Sequence, residues 1–265
     1  MLECVKGEVL LNVENVNLFF GDKHVLRDIN FQINDLIRPG LIQGQVISLL
    51  GRSGIGKTQL FRILAGLSKP TSGNVYGLNN KIVEQGDMGV VFQNYYLFEW
   101  RTIKQSLELA AKKNPLIAEK DIKDAILQQT DTFELTEHLN KYPQQLSGGQ
   151  KQRASIIQQI LNGSEFLLLD EPFSGLDVIV LEKVVDLLLK ISTVDELKTL
   201  IIVSHDIETS VALSDTAFIL AHENGKKGAT IVSKIDLVER DLAWQKDIKT
   251  TKPFIETIKE IKATL

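Results

Sequence analysis

The sequence predicts an α/β fold in which a mostly parallel sheet carries an N-terminal antiparallel β subdomain and an inserted all-helical subdomain. Three observations lead to this prediction. Apolar and polar residues alternate with a period of two in the first third of the chain, as at 29–33, which is typical of antiparallel strands. Between residues 101 and 161 the apolar residues keep helical spacing throughout. Short continuous apolar runs, which suit parallel strands buried on both faces, lie at 46–50, 88–92, 166–169 and 200–203.

Each element follows from the local pattern. A turn at Gly21 and Asp22 separates the apolar stretch 9–20 from the alternating strand 29–33. Helical patterns at 60–67 and 181–191 separate the apolar runs, and alternating strands and helices indicate a parallel sheet. The segment 34–41 is predicted to be a short extra loop. We therefore expect one domain over residues 8–235, with the helical subdomain inserted at about 101–161, and a helical C-terminal tail at 236–265.

Composition excludes several classes of protein. The 265 residues include 30 basic and 34 acidic side chains, and this balance argues against a nucleic-acid partner bound through a wide basic surface. The single cysteine, Cys4, excludes an intrachain disulfide and fits a reducing compartment. The apolar runs are far shorter than the ~20 residues that span a bilayer, and the N-terminus does not resemble a signal peptide. Any membrane role is therefore expected to come through a partner chain.

Residues 51–58, GRSGIGKT, match the phosphate-binding pattern G-x-x-x-x-G-K-S/T in full. They follow one predicted strand and open the next predicted helix, so that backbone N–H groups and the helix N-terminus can face phosphate oxygens. Lys57 is expected to neutralise the β- and γ-phosphates, and the Thr58 hydroxyl to ligate Mg²⁺. The alternative is a glycine-rich turn with an ordinary surface lysine. The residues expected at the nucleotide are Gly51, Arg52, Ser53, Gly54, Ile55, Gly56, Lys57, Thr58 and Gln59.

An acidic pair, Asp170 and Glu171, follows the buried run 166–169. The strand would carry both carboxylates to the C-terminal edge of the sheet, where ligands bind in open α/β folds. Asp170 would then belong to the Mg²⁺ shell, and Glu171 could polarise a water for in-line attack on a γ-phosphate. A helix cap or a solvated turn is the alternative interpretation of such a pair.

Residues 146–150, LSGGQ, are named the signature segment below. Ser147 and Gln150 have the spacing of a capping box, which predicts a helix that starts here and runs to Leu161. The helix N-terminus, with Gly148 and Gly149, could form a second anion site, although a capped helix without a ligand fits the same residues.

Together these motifs resemble the ATP-binding subunits of ATP-binding-cassette (ABC) transporters over roughly residues 8–235. The resemblance implies ATP and Mg²⁺ as ligands. It also implies a head-to-tail dimer, homomeric or with a paired ATPase subunit, in which Ser147, Gly148, Gly149 and Gln150 complete the ATP site of the other subunit. In that dimer ATP hydrolysis drives a separate permease from the cytoplasmic face of the bacterial inner membrane, with a periplasmic substrate-binding protein as a further partner and no nucleic acid.

The resemblance also assigns roles to single residues. Phe20 stands where the family stacks an aromatic ring on adenine, although a core strand Phe is an equal alternative. Gln93 corresponds to the glutamine that senses Mg²⁺ and the attacking water, and His205 to the histidine that contacts the γ-phosphate. Residues 174–177, SGLD, correspond to a loop that crosses the dimer interface. The sequence departs from the family at Gln59, where Ser or Thr is usual, which leaves one α-phosphate contact unsupported.

Two features favour an importer over a lipid- or drug-export ATPase, which shares every catalytic motif. Residues 97–101, LFEWR, and the tail 237–265 are similar to segments of importers for nitrate, sulfonates and taurine. The alternative is a soluble ABC ATPase of DNA repair, chromosome maintenance or translation. Such proteins carry long heptad repeats, zinc cysteines or two cassettes, whereas this sequence has one P-loop and one signature segment. A P-loop kinase or GTPase has no need of the signature segment.

Overall fold

The computed structural model describes residues 4–38, 44–175, 199–243 and 248–265, and parts of a helix between residues 181 and 189. The strands are β1 (Val5–Phe20), β2 (Lys23–Ile37), β3 (Gln45–Leu50), β4 (Ser72–Tyr76), β5 (Gly89–Val91), β6 (Phe166–Asp170), β7 (Thr199–Ser204), β8 (Thr216–His222) and β9 (Ala229–Asp236). The labelled helices are α1 (Lys57–Leu64), α2 (Ile103–Ala111), α3 (Ile122–Thr132), α4 (Gly148–Leu161), α5 (Ile207–Leu213) and α6 (Lys252–Thr264).

These strands form one mixed sheet in the order β4-β1-β2-β9-β8-β3-β7-β6-β5. The core strands β8, β3, β7, β6 and β5 run parallel, and β1 pairs antiparallel with both β2 and β4. The antiparallel part joins the core through β2 and β9, which pair in parallel at Leu26 and Ala229. The predicted fold class is confirmed, because the sheet, its antiparallel N-terminal part and the inserted helices are all present.

Two apolar clusters cover the two faces of the parallel core. One joins α1 to the sheet and to β1 and β2, with Phe61 and Phe218 fully buried within it. The other packs α2, α3 and α4 against the opposite face and contains Ile103 and Leu135. A third cluster, with Phe254 and Ile258, packs α6 on β8 and α5. The three clusters cover the faces of the sheet and leave the C-terminal edge of the parallel strands uncovered.

Three strands were missed from the sequence, and one predicted loop is partly strand. β4 contains Gly73 and Asn74, which have low strand propensity. β8 and β9 follow α5 in the chain and pair with each other antiparallel. Residues 34–37 of the predicted extra loop at 34–41 belong to β2, in which Asn34 lies in register with Val9. Residues 39–41 lie outside the described part of the chain.

The lengths and polarity of the helices bear on whether any of them could span a membrane. Residues 101–161 contain α2, α3, α4 and short 3₁₀ turns, as predicted for the helical insertion. Within the residues that the structure describes, every helix is too short or too polar to cross a bilayer.

Candidate nucleotide-binding site

The loop between β3 and α1 forms a backbone cradle around Lys57. Gly54 and Gly56 adopt φ values of 77° and 117°, a region that L side chains rarely enter. A Cβ atom on Gly56 would also lie 3.0 Å from Leu26 Cδ2, so both the conformation and the space require glycine. Lys57 is only 6% exposed. Its Nζ donates to the carbonyl oxygens of Gly51 (2.9 Å) and Arg52 (3.2 Å), so the alternative of an ordinary surface lysine is wrong.

An open cavity of about 490 Å³ lies above this cradle at the C-terminal edge of the sheet. It brings together residues that are up to 185 positions apart in the chain, counted from Phe20 to His205. Its walls are formed by Phe20, Lys23, Val25, Ser53, Gly54, Gly56, Lys57, Thr58, Gln59, Gln93, Glu171, Ser174 and His205. Gly51 and Arg52 lie behind Lys57, and the Ile55 side chain packs against the apolar core instead. The cavity therefore collects seven of the fourteen predicted nucleotide-binding residues.

Glu171 provides the carboxylate that lines this cavity, and both of its oxygens have polar partners. It follows the last residue of β6 in a left-handed conformation with φ 50°. Its Oε1 lies 3.3 Å from Lys57 Nζ. Its Oε2 lies 2.7 Å from Nδ1 of His205 and accepts from the backbone N–H of the same residue at 3.2 Å and from the Ser204 hydroxyl at 3.3 Å. β6 and β7 are parallel neighbours, and their ends therefore meet at this edge of the sheet.

Asp170 is buried beside Glu171 and has an unusual environment. Burial raises the pKa of its carboxyl, the charge of Glu171 raises it further, and Lys57 and the Thr58 hydroxyl act in the opposite direction. Its buried Oδ1 has no hydrogen-bond partner among the described residues. A second cavity of about 330 Å³ is lined by Asp170, Thr58 and Gln93, the three predicted metal ligands. Oxygen donors of this kind suit Mg²⁺, which binds through one or two carboxylates together with substrate phosphates. The orphaned oxygen therefore fits that ion.

Gln93 and Phe20 complete the walls. Gln93 follows β5, and its Nε2 donates to the Ser174 hydroxyl at 3.3 Å. Phe20 is 56% exposed, so it is not the buried core residue that the alternative interpretation required. Lys23 lies opposite Phe20 in the β1–β2 register and lines the same cavity, but it was missed from the sequence. The predicted turn at Gly21 and Asp22 could have placed Lys23 opposite Phe20, because two residues that flank a tight turn face each other.

The signature segment lines neither of these two cavities. Ser147 is the N-cap of α4, and the predicted capping box with Gln150 is present in both directions, with distances of 3.3 Å and 2.9 Å. Ser147 and Gly148 are exposed. Leu176 and Asp177 of the predicted interface loop lie outside the described part of the chain. The structure thus gathers the P-loop, the acidic pair, Gln93 and His205, and leaves the signature segment elsewhere.

Comparison with known proteins identifies the family of this chain. The family model described as ABC transporter matches residues 34–174, which is more than half of the chain. The aliphatic sulfonates import ATP-binding protein SsuB 1 of Shouchella clausii is 30% identical over 257 residues, covering 97% of this chain and 92% of that protein. The nitrate import ATP-binding protein NrtC of Synechococcus elongatus is 34% identical over 221 residues. That match covers 81% of this chain but only 32% of the larger relative.

A solved structure extends the comparison to the fold. The ATP-binding cassette MJ0796, described as a dimer in a post-hydrolysis state bound to ADP and Pi, superposes with a TM-score of 0.68 at 26% identity. The superposition covers 86% of this chain and 99% of that cassette. The family model, the relatives and the fold agree with one another. The chain therefore belongs to the ABC transporter family, as one of its ATP-binding subunits.

Proposed function

We propose that this chain binds Mg²⁺-ATP and hydrolyses it in a head-to-tail dimer whose closing and reopening drive a separate permease. The observation that carries the proposal is the composition of the large cavity. It holds a phosphate cradle, a carboxylate and a histidine, yet the signature segment is absent from its walls. A second subunit that supplies its own signature segment would complete the site.

The binding roles follow from the contacts. The backbone N–H groups of the cradle and the Lys57 ammonium would hold the phosphates, and Phe20 offers an exposed ring for the base. Thr58, Asp170 and Gln93 would hold Mg²⁺, whose charge offsets that of the phosphates when the ion is bound. Gln59 lines the cavity wall and replaces the usual hydroxyl residue there with a longer carboxamide.

Hydrolysis requires a base next to the γ-phosphate. A water oxygen attacks the γ-phosphorus in line, the bond from that phosphorus to the bridging oxygen breaks, and ADP and phosphate leave. The Glu171 carboxylate would accept the proton of the attacking water. His205 would orient Glu171 through its Nδ1 and backbone N–H, and its exposed ring could also reach the γ-phosphate. Lys57 would leave its contact with Glu171 to meet the incoming negative charge.

We further propose an importer of a small solute, with the cassette in residues 8–235 and a C-terminal tail at 236–265. Two relatives are named import ATP-binding proteins, for aliphatic sulfonates and for nitrate. A transport role is therefore better supported than a soluble role in DNA repair, chromosome maintenance or translation. In an importer the chain would dock on permease subunits at the cytoplasmic face of the inner membrane, and a periplasmic binding protein would deliver the solute.

Solute uptake tests this proposal. A strain of the source organism that lacks the gene should lose uptake of a solute such as labelled nitrate, taurine or an alkanesulfonate. The wild-type gene should restore that uptake, and Lys57→Ala should not. Normal uptake of every tested solute by the deletion strain, together with a defect in DNA repair or translation, would favour the soluble alternative.

A further inference from the structure

Gln150 of the signature segment makes a side-chain contact that plays no part in the function described so far. The Gln150 side chain closes the capping box, because its Oε1 accepts from the Ser147 backbone N–H at 2.9 Å. Its Nε2 faces outward from the box and lies 2.7 Å from Nε2 of His138. His138 ends a short 3₁₀ turn, Thr136–His138, in the helical insertion. One imidazole nitrogen therefore supports the residue that closes the capping box of α4.

The hydrogen bonds determine the protonation state of this imidazole. Because the Gln150 oxygen is already engaged by Ser147, its amide nitrogen must be the group that faces His138. An amide NH₂ only donates, so His138 Nε2 must accept, and the ring must be neutral with its proton on Nδ1. That Nδ1 is buried and has no partner among the described residues. The ring is therefore held in one tautomer by Gln150 alone.

We propose that His138 is a positioning residue for the signature segment, and that it acts only while its imidazole is neutral. The inference rests on the proposed function, in which the signature segment completes the ATP site of the partner subunit. His138 would hold the Gln150 amide, and Gln150 would in turn hold the N–H of Ser147 at the start of α4. The residue thus acts through Gln150 and would not itself touch the nucleotide.

Protonation would reverse the role of the histidine. With a proton on Nε2, the ring presents a donor to the NH₂ group of Gln150, and the two donors repel each other. Gln150 could accept from the imidazolium only by turning its oxygen away from Ser147, which opens the capping box. The end of α4 that would face the partner nucleotide would keep the bond from the Gln150 N–H to the Ser147 hydroxyl but lose the bond from the Ser147 N–H to the Gln150 side chain. His138 lines neither cavity, so ATP binding within one chain should be insensitive to this change.

Neighbouring charges do not offer His138 another partner. In the described part of the chain none of them forms an ion pair with the imidazole; Arg153 pairs with Glu134 at 3.3 Å, and Lys104 with Glu108 at 3.8 Å. The charged side chains on the adjoining segments are Lys104 and Glu108 on α2, Asp131 on α3, Glu134, Glu137 and Lys141 around the 3₁₀ turn, and Lys151 and Arg153 on α4.

Paired variants separate positioning from general stability. His138→Gln keeps a neutral acceptor that cannot titrate, His138→Leu removes the acceptor, and His222→Gln removes an exposed histidine at the end of β8 as a control. Mg²⁺-ATP turnover and binding of a fluorescent ATP analogue are measured from about pH 8 to about pH 6, where imidazoles ordinarily titrate. Each rate is divided by that of His138→Gln at the same pH, which cancels every pH effect that the proteins share.

At pH 8 we expect wild type and His138→Gln to turn over equally, and His138→Leu to be about three- to tenfold slower, the range of one hydrogen bond. Towards pH 6 the wild-type ratio should fall by a similar factor, whereas the His138→Leu ratio should stay flat. The His222→Gln control should follow wild type. Binding of the analogue should be equal in all four proteins, which also reports that each is folded.

A wild-type ratio that is independent of pH would overturn the inference, and so would a His138→Leu rate equal to wild type at pH 8. Either result in an active wild-type protein leaves the proposed function intact. A wild-type chain that binds the analogue but forms no dimer and hydrolyses no ATP at any pH would overturn the proposed function, and this inference with it.

Discussion

Lys57 and Glu171 form an ion pair of 3.3 Å on the floor of the large cavity, and their side chains are only 6% and 14% exposed. The pair links the P-loop to the acidic end of β6 and joins the cation expected at the phosphates to the carboxylate expected at the attacking water. An incoming phosphate would compete with Glu171 for the same ammonium. The two residues must therefore be tested separately.

Lys57→Ala should abolish Mg²⁺-ATP turnover, because it removes the charge that faces the phosphates and leaves Glu171 without its cation. A phosphate-release assay checks the rate, and Lys69→Ala, which changes an exposed lysine, is the matched control. Unchanged turnover in Lys57→Ala would reject the assignment of the cradle.

Glu171→Gln should keep ATP binding and lose about 10²- to 10⁴-fold in turnover, the usual effect of removing a general base. The amide preserves the shape of the side chain but cannot accept the proton of the attacking water. With one negative charge fewer beside the γ-phosphate, ATP should bind at least as tightly. Chromatography with Mg²⁺-ATP should therefore trap a closed dimer that disperses on exchange to ADP.

The control for this variant is Glu8→Gln, which changes an exposed carboxylate on β1 and should behave as wild type. A Glu171→Gln chain that elutes at the same position with and without bound ATP would count against Glu171 as the residue that controls reopening. A wild-type rate would remove it as the base.

Mixing two inactive chains tests whether sites are shared. In a head-to-tail dimer of Lys57→Ala with Ser147→Arg, one site carries both defects and the other carries neither. The mixture should recover turnover, approaching one active site per heterodimer, although each variant alone is inactive. If each subunit used only its own residues, every site would be damaged once. A mixture as inactive as its parents would then refute the shared site.

Asp170→Asn should lose turnover but raise the melting temperature near neutral pH. Burial raises the pKa of Asp170 above its unfolded value, so the ionised carboxylate costs stability above the folded pKa. The cost disappears below the unfolded pKa of about 3.9, where the carboxyl is protonated in both states. The stabilisation by Asn should therefore shrink as pH falls, which thermal melts at several pH values would detect. Equal melting temperatures at neutral pH would contradict it.

Local patterns predicted the elements whose signals lie within a few residues of each other. The P-loop glycines, the capping box of Ser147 and Gln150, and the buried run before Asp170 each encode their own backbone. The same patterns predicted both ends of β3 and the start of α1 to within a residue, whereas α1 ends at Leu64, three residues before the predicted end.

The misses are contacts between distant parts of the chain. The ion pair of Lys57 and Glu171 depends on how β3 and β6 are placed in the sheet, with β7 between them. The hydrogen bond from Gln150 to His138 depends on how the 3₁₀ turn packs against α4. β8 was missed although residues 217–221 form a continuous apolar run like those of the predicted strands, whereas β9 is only half-buried and lacks such a run. A short window of sequence carries no information on how close such distant residues lie in the fold.

The separation of the signature segment from both cavities has a kinetic consequence. In the proposed dimer each chain contributes its cavity to one ATP site and its signature segment to the other, so hydrolysis would require two chains to meet. In dilute solution the total rate should then rise with the square of the protein concentration, and the rate per chain should level off once most chains are paired. Two copies held on one permease would escape this dependence, because mass action no longer limits their encounter. Attachment to the membrane would thereby turn a collision-limited enzyme into one whose rate per complex is insensitive to dilution.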